Sequence, residues 1–136
     1  MHKKIYFAAS IRSGRDDQEI YSSIIAELKK HGLVLSEHFG SKNLTTDGEN
    51  LTNTFIRNRD KDWVREADVI VAEVTTPSLG VGMELGWAEE WGKKVICLYR
   101  EQEGRRLSAL VDGAPEFKVC RYQSISDVAK ILADLL

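Results

Sequence analysis

The chain has 136 residues, enough for one domain (residues 1–136) with a buried core that needs no disulfide or metal to hold it together. Its 19 basic and 21 acidic residues nearly balance and include no Lys/Arg-rich run, which argues against a nucleic-acid polymer as partner but allows a small anionic ligand. The two cysteines form no CxxC or His/Cys cluster, and the N-terminal apolar stretch is too short for a signal peptide or membrane span, so we expect a cytoplasmic protein with neither metal nor cofactor.

Apolar segments of strand length alternate along the chain with segments of helical periodicity. In chain order we predict a strand at 5–9, a helix at 16–31, a strand at 33–36, a polar loop at 40–50, a helix at 51–67, a strand at 68–74, a helix at 81–91, a strand at 95–99, a short helix at 106–111, a strand at 117–122 and a helix at 126–136. Gly32 and Gly92 are expected to end the first and third helices. The core face of the second helix is expected to comprise Phe55, Ile56, Trp63 and Val64.

This alternation predicts an α/β fold, a Rossmann-like three-layer sandwich with a parallel sheet covered by helices on both faces. Five strands in a chain of this length favour the flavodoxin-like order 2-1-3-4-5. In that order the topological switch lies between the first and third strands, and ligands bind there, beyond the carboxyl ends of the strands. The loops that follow these two strands are therefore the candidate ligand-binding segments.

The first of these loops has the composition of a phosphate site. Its sequence, Ser10-Ile11-Arg12-Ser13-Gly14-Arg15, combines hydroxyls, guanidinium groups and a glycine directly before a predicted helix. Backbone N–H groups, hydroxyls and a permanently charged guanidinium can together hold a phosphate. The alternative is an ordinary strand-to-helix turn with a serine cap.

The second loop leads into a glycine-rich segment. Gly80, Gly82 and Gly86 form GxGxxxG, which is one residue too long for a dinucleotide fingerprint and follows the third strand, so we reject an NAD site. These glycines would let the backbone approach a small ligand.

Glu84 lies in the same segment, where we expect it to occupy the first turn of the helix and to have a low pKa. An ionised carboxylate there could stabilise or attack a cationic sugar carbon, and cleavage of a glycosidic bond commonly uses two carboxylates. The second could be Asp60, Asp62 or Glu73, and spacing does not choose among them.

Three strings, IYFAASIRSGRDDQ, FIRNRDKDWVREADVIVAEVTTPSLGVGMELGWA and GRRLSALVDGA, resemble the 2′-deoxynucleoside 5′-monophosphate N-glycosidases of the nucleoside 2-deoxyribosyltransferase superfamily. The resemblance extends over residues 4–122. It implies a Rossmann-like homodimer that hydrolyses deoxynucleoside monophosphates. Ala9 and Ser13 stand where that family usually has glycines, and Met83 stands where an aromatic residue is expected.

The resemblance also implies roles for individual residues. Glu84 matches the carboxylate that attacks the anomeric carbon, Asp60 the acid that assists the leaving base, and Tyr6 a tyrosine that orients the carboxylates. The residues that match the 5′-phosphate and substrate site are Ser10, Ile11, Arg12, Ser13, Gly14, Ser78 and Gly80. Ser108 matches a serine that reaches the phosphate from the neighbouring subunit.

Three other functions compete with this hypothesis. A nucleoside 2-deoxyribosyltransferase would pass the sugar to a second base, but the neutral 5′-hydroxyl of a nucleoside needs no guanidinium such as that of Arg12. A non-catalytic nucleotide sensor has no need for Glu84, whose charge would repel an anionic ligand. A phospho-receiver domain could use Glu73 as acceptor, but Ser10 and Arg12 stand where it requires an acidic pair. His38 is expected to be a surface or capping histidine rather than part of the cleft.

Overall fold

A computed structural model of the chain describes residues 3–11, 17–40 and 49–136. Within these residues, five strands form one sheet in the order β2-β1-β3-β4-β5, and every neighbouring pair is parallel. The strands are β1 (Lys3–Ala8), β2 (Gly32–Val34), β3 (Val69–Glu73), β4 (Lys94–Arg100) and β5 (Phe117–Tyr122). The helices are α1 (Gln18–Leu28), α2 (Asn53–Glu66), α3 (Leu79–Glu90), α4 (Ala109–Asp112) and α5 (Ile125–Leu135), and a 3₁₀ turn spans Glu37–Gly40. The predicted fold class and strand order are confirmed.

Successive residues of β1 point to opposite faces of the sheet, and their contacts show which helices cover each face. The ring of Phe7 packs against Tyr21 of α1, with 6.1 Å between the ring centroids. On the other face, the ring of Tyr6 lies 6.3 Å from that of Trp63 in α2, and the Tyr6 hydroxyl reaches Glu84 in α3. Helices α2 and α3 therefore cover one face, while α1 and its neighbour α5 cover the other.

The central strands are apolar over their whole length because both of their faces are covered. Residues 5–8, 69–72 and 95–98 are all buried. Strands of this kind appear in a sequence as continuous apolar runs, which explains why these three could be predicted from composition.

The structure corrects the prediction for Gly32, which begins β2 instead of ending α1. Gly32 pairs with Lys3 of β1, and a Cβ atom at this position would lie 2.2 Å from the carbonyl oxygen of Lys3. Glycine is required here because two backbones approach closely. Helix α1 is also shorter than the predicted 16–31, since it ends at Leu28. Gly92, in contrast, follows α3 with φ of 66°, a left-handed conformation typical of helix ends, as predicted.

Strand β2 ends at Val34, two residues before the predicted boundary, and the side chain of Ser36 continues the contact with β1. The Ser36 hydroxyl accepts a hydrogen bond from the N–H of Phe7 at 2.9 Å and donates one to the carbonyl oxygen of Phe7 at 2.8 Å.

In α2, Phe55 is 53 % exposed and is not a core residue, whereas Val64 is fully buried. Helix α2 thus packs on the sheet through its C-terminal half. The short fourth helix spans only Ala109–Asp112 instead of 106–111.

Candidate active site

The carboxyl ends of β1 and β3 lie side by side at the switch point of the sheet, and a cavity of about 310 Å³ opens there. One part of its wall is apolar and comprises Ile11, Phe39, Ile56, Val81, Met83 and Trp87. The polar part includes Asp60, Ser78 and Glu84. An apolar cleft with a few convergent polar groups has the character of a small-molecule site.

Glu84 is the most deeply placed acidic group of this cavity. It lies in the second turn of α3, which begins at Leu79, and is 8 % exposed. Tyr6, which is fully buried, donates a hydrogen bond from its hydroxyl to Oε2 of Glu84. Burial raises the pKa of Glu84 to about 8, although the hydrogen bond from Tyr6 acts in the opposite direction. The predicted low pKa is therefore wrong. Glu84 lies beyond the first turn of the helix, and desolvation raises its pKa more than the helix N-terminus lowers it.

Asp60 provides the second carboxyl group of the cavity. Its Oδ1 atom accepts hydrogen bonds from Nε of Arg59 at 3.0 Å and from Nη2 of Arg59 at 2.8 Å. Burial raises the pKa of Asp60, while the hydrogen bonds and charge of Arg59 lower it. The charge of Asp60 raises the pKa of both Glu84 and Tyr6. The charge of Glu84 likewise raises the pKa of Tyr6.

The other two candidate carboxyl groups lie elsewhere. Asp62 points to solvent, with 74 % of its side chain exposed, and pairs with Arg65 at 3.2 Å. Glu73 is buried on the opposite face of the sheet, where Tyr122 donates to its Oε2 atom and the N–H of Thr75 donates to its Oε1 atom at 2.8 Å. The structure thus brings Asp60, and neither of the alternatives, to the cavity that holds Glu84.

The predicted phosphate-binding residues are only partly within the described residues, since Arg12, Ser13 and Gly14 lie outside them. Ser10 is fully buried, and its hydroxyl has no hydrogen-bond partner in the part of the chain that the structure describes. Ile11, Ser78 and Gly80 line the cavity. The Ser78 hydroxyl also accepts a hydrogen bond from the N–H of Val81 at 3.3 Å, which caps the start of α3.

Ser108 does not line the cavity of its own chain. It precedes α4, is exposed, and borders a second cavity of about 330 Å³ on the other side of Ser78. This second cavity is also lined by Leu79, Arg106 and Leu107.

Sequence reasoning missed a charged cluster beside Asp60. Arg59 donates to both oxygens of Glu49, at 2.7 Å from Nη1 and 2.6 Å from Nη2, and its guanidinium lies 4.6 Å from the centre of the Trp63 ring. His38 is partly buried, with its Nε2 atom 2.9 Å from Oε1 of Glu49, so it belongs to this cluster rather than to the surface. Burial lowers the pKa of His38. No periodicity signals such a cluster, because Glu49 lies in a loop ten residues before Arg59.

The described residues contain no group of three or more His, Cys, Asp or Glu side chains placed to hold a metal ion. None of the helices in the described part of the chain is both long and apolar enough to cross a membrane. Cys97 is buried and Cys120 partly buried, and both are free thiols.

Fold and cavity together define an α/β protein with a small-molecule site that pairs two carboxyl groups at the switch point of a doubly wound sheet. The sequence model of the family described as nucleoside 2-deoxyribosyltransferase matches residues 5–119, which is most of the chain. The chain belongs to this family, and the resemblance found in the sequence is confirmed.

Curated relatives agree with this assignment, and a solved structure shares the fold. A protein of Tetraodon nigroviridis named 5-hydroxymethyl-dUMP N-hydrolase is 54 % identical over 113 residues, covering 82 % of this chain and 80 % of the relative. A protein of Danio rerio with the same name is 45 % identical over 134 residues, covering 96 % and 93 %. The structure of the CMP N-glycosidase BcmB of Clostridium botulinum superimposes with a TM-score of 0.70 at 23 % identity, covering 98 % of this chain and 100 % of that one, and thus shares the fold.

Proposed function

We propose that this protein hydrolyses the N-glycosidic bond of 2′-deoxynucleoside 5′-monophosphates to a free base and 2-deoxyribose 5-phosphate. The observation that carries the proposal is the pair of Glu84 and Asp60 in the switch-point cavity, with buried Tyr6 bonded to Glu84. The names of the curated relatives support the same reaction and suggest 5-hydroxymethyl-dUMP as a substrate.

The two carboxyl groups suit a two-step mechanism. Ionised Glu84 attacks C1′ of the deoxyribose while the bond from C1′ to the base nitrogen breaks, and the base leaves with the electron pair of that bond and a proton from Asp60. In the second step, the Asp60 carboxylate takes a proton from water, whose oxygen attacks C1′. The bond between C1′ and Glu84 then breaks, so that both side chains return to their starting forms.

This mechanism requires a proton on Asp60 and a charge on Glu84. Burial raises the pKa of both groups, and their titrations are coupled because the charge of Asp60 acts on Glu84, which favours retention of a shared proton by the pair. The hydrogen bond from Tyr6 favours the charged form of Glu84. Positive charge that develops on the sugar as the bond breaks favours it further, which drives the shared proton towards Asp60 and the departing base.

The loop after β1 and the start of α3 would hold the 5′-phosphate. The hydroxyl of buried Ser10, which has no hydrogen-bond partner among the described residues, and the hydroxyl of Ser78 support this placement. Arg12, Ser13 and Gly14 would complete the phosphate site, with Ile11 and Gly80 contributing to the wall of the cavity. The apolar part of the wall would receive the base.

We also propose a homodimer in which Ser108 reaches the phosphate of the partner's site. Ser108 lies outside the cavity of its own chain, so it can contribute only by another route. Two apolar side chains near the second cavity, Leu79 and Leu110, are 96 % and 89 % exposed. A two-fold contact through this surface would cover them and create two equivalent sites.

A direct assay tests the activity. The protein is incubated with each natural deoxynucleoside monophosphate and with 5-hydroxymethyl-dUMP, with and without an acceptor base, and the free base and exchanged nucleotide are quantified. We expect release of free base with or without acceptor. Exchange that exceeds hydrolysis would instead identify a transferase, and binding without turnover would identify a nucleotide sensor.

A further inference from the structure

Arg59 is shared between two carboxylates in an unequal way. Its Nη1 and Nη2 atoms form a two-pronged contact with Glu49, while Nε and Nη2 both reach a single oxygen of Asp60, Oδ1. Asp60 also forms a hydrogen bond with Tyr6, and its side chain lines the cavity. All three side chains are largely buried, with 13 % to 16 % of their surfaces exposed. Contacts of this kind hold a planar group in one orientation.

We propose that Arg59 and Glu49 are positioning residues for the proton donor: Arg59 fixes Oδ1 of Asp60, and Glu49 takes up enough of the guanidinium charge for Asp60 to keep its proton until the base leaves. This inference rests on the proposed function, because it assumes that Asp60 acts as the acid. It adds two residues to the site that neither attack nor protonate the substrate.

An arginine without a second partner would favour the ionised form of a neighbouring carboxyl group and so remove the proton that an acid must donate. A cation within about 4–6 Å typically lowers the pKa of a carboxyl group by about 1–3 units, which would leave Asp60 ionised at neutral pH. Glu49 places a second negative charge on the same guanidinium. Its own charge also raises the pKa of Asp60 directly. The pair can thus orient Asp60 while adding little net positive charge.

The described groups that face Asp60 come from four segments. Arg59 lies beside it in α2, Glu49 precedes that helix, Tyr6 comes from β1 and Glu84 from α3. His38 of the 3₁₀ turn contacts Glu49, and burial lowers its pKa.

The test uses opposite charge changes within one ion pair. In Glu49→Gln, the freed guanidinium should lower the pKa of Asp60, so that the basic limb of kcat/KM for 5-hydroxymethyl-dUMP moves about one pH unit down. In Arg59→Gln, the same limb should move up by a similar amount, and kcat should fall about ten- to a hundredfold because Oδ1 is no longer fixed. A merely structural ion pair would reduce stability and activity in both variants without opposite shifts.

Arg65→Gln is the matched control. Arg65 lies in the same helix, pairs with a carboxylate at 3.2 Å and covers a tryptophan ring at 4.6 Å, as Arg59 does, but its partner Asp62 is exposed. We expect its pH profile to be unchanged. If a single-charge variant fails to fold, the double variant Glu49→Gln/Arg59→Gln provides the test instead. Removing both charges should leave the basic limb of kcat/KM near its native position, while kcat stays low because Oδ1 of Asp60 is no longer fixed.

Two further measurements separate this inference from the proposed function. Asp60→Asn that turns over at the native rate would overturn the acid role and the positioning role together. An inactive Asp60→Asn, combined with limbs that move in the same direction or not at all, would overturn the positioning role alone. The carboxyl ¹³C resonance of Asp60 reports the same pKa shifts without substrate, so opposite shifts there would show that Glu49 and Arg59 control the proton of Asp60, and their absence would refute the inference.

Discussion

Tyr6→Phe isolates the contribution of one hydroxyl to the charge on Glu84. The substitution keeps the ring in its fully buried position and removes the hydrogen bond to Oε2 of Glu84, together with the contact of the same hydroxyl with Asp60. A hydrogen bond to a charged group contributes about 1.5–3 kcal/mol, and one pKa unit corresponds to about 1.36 kcal/mol, so the pKa of Glu84 should rise by about 1–2 units above its value of about 8. Since the nucleophile must be ionised, the ionised fraction at pH 7 and kcat/KM should both fall about 10- to 100-fold.

The pH profile of kcat/KM measures this effect, because its acid limb should move about 1–2 pH units upward. Tyr122→Phe is the matched control, since Tyr122 makes the same type of hydrogen bond to buried Glu73 on the opposite face of the sheet. That variant should lose stability without any shift of the profile. An unchanged acid limb in Tyr6→Phe, with a folded protein by thermal melting, would refute the role assigned to this hydrogen bond.

The other predictions concern Glu84, Asp60, the 5′-phosphate of the substrate and the shared site. Glu84→Gln should abolish turnover but keep nucleotide binding, measured by calorimetry, and near-normal turnover would exclude a nucleophile. The same variant should be more stable than the native protein above about pH 5. The pKa of Glu84 is about 8 in the folded protein and about 4.5 in the unfolded chain, so ionisation of this group destabilises the native protein as the pH rises through that range. Equal melting temperatures across the range would contradict this prediction. Asp60→Asn should be severely impaired and exposed Asp62→Asn much less, and the reverse order of rates would assign the acid to Asp62. Removal of the substrate's 5′-phosphate should lower kcat/KM by orders of magnitude because charge-assisted contacts of about 1.5–3 kcal/mol each are lost, so equal rates would favour the transferase. Mixed Glu84→Gln and Ser108→Ala subunits, after verified exchange, should be more active than the sum of the two parents, whereas a monomer or an additive mixture would refute a shared site.

The position of the site could be predicted from the sequence because it depends on topology. Alternating strands and helices require crossover connections between parallel strands, and the order 2-1-3-4-5 leaves a crevice at one defined point. Glu84 and Ser10 follow the two strands that flank this point. Family resemblance selected Asp60 from three candidate carboxyl groups and added Tyr6, because no local pattern distinguishes these residues from their neighbours.

The direction of the pKa shift of Glu84 shows where sequence reasoning ends. Proximity to a helix N-terminus favours the charged form, and that much is readable from the sequence. Burial depends on which side of α3 faces the sheet and on what covers it, and here burial dominates. The choice between Asp60 and Asp62 has the same origin, since the rotation of α2 about its axis decides which of them meets the cavity.

Sequence alone thus determined the element types, the strand order and the end of the sheet at which the cavity opens, because these depend on local periodicity and on the few ways in which parallel strands connect. Tertiary structure alone decided three other features: the close backbone approach at Gly32, the position of Ser108 outside the cavity of its own chain, and the contact of Arg59 with Glu49 and Asp60. Each of them joins segments whose separation along the chain says nothing about their distance in space. Desolvation and charge pairing act over a few ångströms, so they are defined only once the chain has folded.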